Sequence, residues 1–141
     1  MDSINYLLSI ETKGIKLGFK RTQAIMKVCG NPHLELPVIQ VVGTNGKGSV
    51  CAILANILKV AGYKTGLYTS PHLVRVNERI RINGQPIVDE EINNFIQFYK
   101  QDIENIEATF FETITAMACW YFKKENVDIA IMETGLGGRL D

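Results

Sequence analysis

The sequence predicts an α/β fold, a doubly wound and mostly parallel sheet left incomplete at its C-terminal end. Three observations carry that expectation. A β-branched run at residues 38–42, Val-Ile-Gln-Val-Val, passes directly through a glycine-rich loop into a long apolar stretch. Such a run reads as a strand in the middle of a parallel sheet, covered on both faces. Two further apolar runs, at 64–69 and 127–132, alternate with segments of helical periodicity, the pattern of strand–helix–strand units. The chain then stops after a second glycine cluster, Gly135, Gly137 and Gly138, with no following helix, so a longer parent protein is expected.

Composition narrows the classes. A chain of 141 residues fits one domain or less, and at that size roughly 68–70% of the unfolded surface can be buried. Lys plus Arg and Asp plus Glu number 15 each, and the basic residues are scattered, so no nucleic-acid partner is expected. Asn56 and Lys59 interrupt the longest apolar run, and no signal segment opens the chain; no membrane association and a cytoplasmic location are expected. Cys29, Cys51 and Cys119 lack metal-ligand spacing and fall inside apolar helical patterns, so they read as reduced core residues.

Along the chain, Ile4, Leu7 and Leu8 recur at helical spacing after Asp2 and Ser3. Residues 13–20 form a glycine-broken loop. A second helix from about Arg21 carries Ile25, Val28 and Cys29 on one face and is stopped by Gly30, Asn31 and Pro32. After the strand at 38–42, a helix over 47–61 is apolar almost all round and is expected to be buried. The strand at 64–69 leads into Thr69, Ser70, Pro71 and His72. Alternation over 78–82 before Asn83-Gly84 predicts a surface hairpin. Asp89 then caps a helix with Ile92, Phe95, Ile96, Tyr99 and Ile103 on its packed side and Glu91, Asn94 and Gln101 on a solvated one. A last helix opens at Thr109-Phe110-Phe111-Glu112 and packs through Ile114, Met117, Ala118 and Tyr121.

The chemistry concentrates at the strand ends. Gly43, Gly46 and Gly48 let backbone N–H groups turn inward at a helix N-terminus, where the dipole favours anions, and Lys47 adds a full charge. This is a phosphate loop. The common nucleotide pattern G-x-x-x-x-G-K-[ST] is met loosely, with Val41 at its first glycine and Gly48 at its hydroxyl position; the hydroxyl moves on to Ser49. Ligands of open α/β sheets bind beyond the carboxyl ends of the strands, which puts Ser70, His72 and Glu133 on the same rim. Glu133, at a strand end, is a candidate magnesium ligand. Thr109 and Glu112 have the spacing of a capping box, while Phe110 or Phe111 at the same helix start offers an aromatic face to a planar ring; spacing leaves both roles open.

Five blocks in order, Gly-Thr-Asn-Gly-Lys-Gly-Ser at 43–49, Thr-Ser-Pro-His-Leu at 69–73, Glu-Arg-Ile at 78–80, Thr-Phe-Phe-Glu at 109–112 and Glu-Thr-Gly-Leu-Gly-Gly-Arg-Leu-Asp at 133–141, resemble folylpolyglutamate synthase/dihydrofolate synthase, within the Mur ligase superfamily. Gly48 with Ser49, in place of the threonine common in that wider group, points to the folate branch. The resemblance implies that residues 1–141 are the N-terminal part of an ATP-binding domain whose partner, a C-terminal glutamate-ligase domain, lies outside the chain. It implies that Thr44, Asn45, Gly46, Lys47, Gly48 and Ser49 bind ATP, that Lys47 and Glu133 serve catalysis, and that Ser49, Ser70 and Glu133 hold Mg2+. Thr109, Phe110, Phe111, Glu112, Leu140 and Asp141 would bind the pterin. The reaction so implied phosphorylates a folate or dihydropteroate carboxylate, and the L-glutamate amine attacks the acyl phosphate. A monomeric parent is expected, with self-association and no ligase activity for these residues alone. A phosphate-loop hydrolase or kinase and a non-catalytic nucleotide-binding module are the alternatives.

Overall fold

The computed structural model describes residues 2–12, 14, 20–43, 46–71 and 74–133. Helix α1 (Asp2–Glu11) is followed by α2 (Lys20–Val28), and the loop expected at 13–20 lies largely outside the described residues. The Asn31 N–H donates to the Met26 carbonyl at 2.8 Å and the Gly30 N–H to that of Lys27 at 3.1 Å, closing α2 through two left-handed residues. Pro32–Glu35 then makes a 3₁₀ turn. The buried face of α2 is Ile25 and Met26; Val28, expected on it, is the last residue of the helix and is exposed.

Strand β1 (Val38–Val41) leads to α3 (Lys47–Val60) and β2 (Thr65–Tyr68). A 3₁₀ turn at Val76–Arg79 precedes β3 (Ile80–Ile82) and β4 (Gln85–Pro86), joined by Asn83 and Gly84, both at positive φ. The chain finishes with α4 (Asp89–Ile106), α5 (Phe110–Lys124) and β5 (Ile129–Glu133). The strand order is β1-β5-β2-β3-β4, with β1, β5 and β2 parallel and the hairpin antiparallel.

The strand latest in the chain therefore lies between the two earliest parallel ones. That overturns the expectation that the run at 38–42 fills the sheet's middle: β1 is an edge strand of the described sheet, with Val38 43% and Val42 58% exposed. The middle place among the three parallel strands belongs to β5, whose Ala130 and Ile131 are fully buried.

Alternation along β2 separates the two faces. Gly66 and Tyr68 turn toward α5, where Gly66 lies under the Phe122 ring and the Thr115 hydroxyl meets that of Tyr68 at 3.3 Å. Thr65, Leu67 and Thr69 turn toward α3, sharing a cavity with Ala52 and Ala55. Helices thus cover both faces. On one of them α5 is buried nearly all round, packed with α1, α2 and α4.

Helix α3 departs from expectation, because Cys51 is its one buried residue among those described and Val50, Ile53, Ile57 and Val60 are exposed. Periodicity showed an apolar surface all round, whereas one sheet can cover one side. Asp89 is also not a cap: the N-cap is Val88, and the Asp89 carboxylate instead accepts from Arg75 at 2.9 Å and Asn77 at 2.8 Å. Glu91, expected on a solvated face, pairs with Lys124 of α5 at 2.6 Å. The three cysteines are free, with Cys29 in the turn after α2 rather than in the helix, and burial pushes the Cys29 and Cys119 thiols up to about 12.

Gly66 tests the fit between the layers. A Cβ there would stand 2.8 Å from the ring of the fully buried Phe122, so Gly66→Ala is expected to destabilise the fold by about 1–3 kcal/mol. Urea unfolding should show the loss, and Phe122→Leu should recover part of it in the double variant.

Candidate functional site

The loop enters α3 through Gly46, whose φ of +74° suits glycine and gives the helix an N-cap without a side-chain bond. The first turn, Lys47-Gly48-Ser49, contains no acidic residue, and the positive end of the helix dipole favours an anion there. Ser49 is exposed there, and Lys47 is half-buried.

Beside this turn lies Glu133, the last residue of β5, the middle parallel strand, 5% exposed and in register with Val41. The Ser70 N–H donates to its Oε1 at 2.7 Å, which ties the exit of β2 to the end of β5. Its Oε2 faces Gly48, 3.6 Å from where a Cβ would stand. Any side chain at position 48 would meet the carboxylate; glycine leaves that space open. Among the described residues no cation pairs with Glu133. One turn into α3, the Cys51 thiol is pushed up by burial and then by the Glu133 charge, while Lys47 pulls it down, so both charges bear on one point.

Two cavities meet at Glu133. One, of about 500 Å³, runs between α3 and β2 past Gly48, Thr69 and Ser70; the other, of about 610 Å³, lies on the opposite face beneath α2 and α5. Phe111, Tyr68 and Met132 line the second.

The block at 109–112 divides between the roles the spacing left open. The capping box forms in full, with the Thr109 hydroxyl accepting from the Glu112 N–H at 3.2 Å and Glu112 Oε1 accepting from the Thr109 N–H at 2.9 Å. Glu112, 3% exposed, also takes the Arg21 Nε at 3.1 Å. Phe110 is buried with the Arg79 guanidinium 4.9 Å from its ring centre. Phe111 alone of the block reaches the cavity. Thr44, Asn45, His72, Leu140 and Asp141 lie outside the described residues. Arg21 and the cavity residues Gln40 and His33 were not singled out in the sequence; a glutamine inside a β-branched strand is the signal that could have found Gln40.

The geometry defines a class, an α/β protein of the phosphate-loop type with a buried carboxylate on the strand next to the loop. No family model matches the chain. It is 41% identical over 138 residues to the dihydrofolate synthase/folylpolyglutamate synthase of Escherichia coli, covering 98% of this chain and 33% of that protein. The crystal structure of folylpolyglutamate synthase from Thermotoga maritima superposes with a TM-score of 0.91 at 41% identity, covering 100% of this chain and 35% of that one. A folylpolyglutamate synthase complex with AMPPCP and folate superposes at 0.89 and 36% identity, covering 99% and 36%. The chain is a homologue of the folylpolyglutamate synthase/dihydrofolate synthase family over the part of those enzymes that it spans. It spans between 17% and 33% of the length of the curated relatives it matches. Among the described residues no helix is long and apolar enough to cross a membrane.

The cap and the ion pair at Glu112 separate energetically. Thr109→Ala should destabilise by about 0.5–2 kcal/mol through the lost cap. Arg21→Met should cost more, on the order of 3 kcal/mol, because it leaves a buried carboxylate without its cation. Denaturant midpoints of the two variants check the order.

Proposed function

We propose that the chain carries the nucleotide and acceptor sites of an ATP-dependent ligase that joins L-glutamate to the carboxylate of folate or dihydropteroate. The observation that carries this reading is Glu133: a carboxylate buried at the end of the middle parallel strand, beside the N-terminus of α3, with no cation paired to it among the described residues. A buried charge of that kind is costly unless something compensates it. The relatives' names and the AMPPCP and folate complex of a structural neighbour support the choice of substrates.

In this reading Thr44 to Ser49 cradle the ATP phosphates, with Lys47 on the terminal ones and the first-turn amides of α3 aimed at their oxygens. The Ser49 hydroxyl, the Ser70 hydroxyl and Glu133 would hold Mg2+, since all are hard oxygen donors at the rim and no cation among the described residues is paired with Glu133. When bound, the ion supplies charge to the transferring phosphoryl group. Phe111 offers its face to the planar ring of the acceptor in the larger cavity, and Leu140 and Asp141, outside the described residues, are assigned to the same ring by the family resemblance alone. The residues' work is positioning and charge stabilisation, so that acceptor carboxylate and γ-phosphate meet above Glu133 before the glutamate amine attacks. The chemistry would take place in the cytoplasm.

Lys47→Ala is expected to reduce AMPPCP affinity at least about tenfold while the unfolding midpoint stays put, because the lysine contributes charge rather than packing. Calorimetry on the folded variant checks this; undiminished affinity would remove the phosphate-loop reading. Glu133→Gln should flatten the dependence of nucleotide binding on magnesium concentration. Mass detection of a glutamate conjugate, with dihydropteroate and folate offered separately, distinguishes a ligase from a hydrolase that merely releases phosphate.

A further inference from the structure

Tyr68 closes both ladders of β2, in register with Ile80 on one side and Met132 on the other. The two residues after it are placed by hydrogen bonds from consecutive amides. The Ser70 N–H donates to Glu133 at 2.7 Å, and the Thr69 N–H donates to the Arg79 carbonyl at 2.9 Å. The place of Ser70 at the rim thus depends on where the turn at Val76–Arg79 sits. The hairpin after that turn is short, with three residues in β3 and two in β4, so its own pairing contributes little to holding the turn.

Side chains supply the anchorage. Val76 is buried in the core, and Asn77 Nδ2 donates to the Ile87 carbonyl at 2.7 Å and to Asp89 at 2.8 Å. The Glu78 carboxylate accepts the Val74 and Arg75 N–H groups at 3.3 and 3.2 Å. Those hydrogen bonds shape the segment from within, between residues 74 and 89. Arg79 reaches out of it. Itself 7% exposed, it sets its guanidinium 4.9 Å from the ring centre of the buried Phe110 of α5, and its Nη2 stands 3.7 Å from the Glu11 carboxylate of α1. An apolar side chain of similar volume could fill such a site without the cost of desolvating a charge. What the guanidinium adds is direction, since attraction to an aromatic face and to a carboxylate fixes a rigid planar group at two points. The residue whose carbonyl receives the Thr69 amide is thus tied by its side chain to both helices.

We propose that Arg79 is a positioning residue for the cation site: tied to α1 and α5, it holds the exit of β2 where Ser70 meets Glu133. The inference rests on the reading of Ser70 and Glu133 as magnesium ligands given above, and adds which residue outside the ligand set fixes one relative to the other.

The test measures AMPPCP binding to the chain by calorimetry over a series of Mg2+ concentrations. Arg79→Met is expected to raise the Mg2+ concentration at half-maximal effect about tenfold, as for loss of a group that orients a metal ligand. Affinity for AMPPCP without divalent cation should stay as in the unaltered chain. Arg79→Lys, which keeps the charge and loses the planar fork, should shift the midpoint less. Glu11→Gln, at a half-exposed position, loosens the same tie without emptying the buried site and should shift it in the same direction, so the test stands even where Arg79→Met does not fold. Ser70→Ala should raise the midpoint by itself, and adding Arg79→Met to it should raise it no further, because Arg79 acts through Ser70. A midpoint unchanged in folded Arg79→Met, or in Glu11→Gln where Arg79→Met does not fold, would overturn the inference. So would an equal further rise in the Ser70→Ala background, or a cation-free affinity that falls by the same factor, either of which marks a merely structural role. Ser70→Ala without effect, or no dependence on Mg2+ in the unaltered chain, would overturn the cation-site reading itself, and this inference with it.

Discussion

The arrangement of the rim depends on one buried carboxylate. Glu133 ends the middle parallel strand, accepts the Ser70 N–H at 2.7 Å and faces Gly48 at the start of α3. A hydrogen bond to a charged group contributes about 1.5–3 kcal/mol, which is enough to hold the exit of β2 against the end of β5. Two cavities on opposite faces of the sheet share this residue. The phosphate loop supplies positive potential on one side of it, from Lys47 and the helix terminus, and the sheet holds the negative charge in place.

A second constraint fixes the wall opposite. Glu112 closes the capping box at the start of α5 and pairs with Arg21 of α2, so the orientation of Phe111 is set by the helix that carries it and by the helix that borders the cavity. The Arg79 guanidinium beneath Phe110 supports the same turn, and the Arg79 carbonyl accepts the Thr69 N–H at 2.9 Å, next to Ser70. The two halves of the rim are thereby linked through the turn at Val76–Arg79 and not through the strands alone.

Much of this was legible in the sequence where the signal is local. The strand at 38–41, the helix at 47–60, the Asn83-Gly84 hairpin and the Thr109–Glu112 cap all depend on neighbours a few positions apart, and each forms. Glu133 reaches the rim because a short apolar run can deliver its last residue to one place only, the carboxyl end of the sheet. What could not be read is non-local. Nothing in residues 38–42 says that a strand at 129–133 will insert beside them and leave β1 at an edge. The all-round apolar pattern of α3 gives its composition but not which side is covered, and the outer residues Ile53, Ile57 and Val60 stay exposed. The Arg21–Glu112 pair joins positions 91 apart, beyond any spacing rule.

The central claim is that Glu133 is the point at which the divalent cation and the nucleotide meet the sheet. The most direct measurement is a Mn2+ titration of the isotopically labelled chain in the presence of AMPPCP, followed through backbone amide resonances. The account predicts that the amides of Gly48, Ser49, Ser70 and Glu133 broaden first and that Glu133→Gln abolishes this selectivity. Broadening centred elsewhere, or the same pattern in Glu133→Gln, would contradict it.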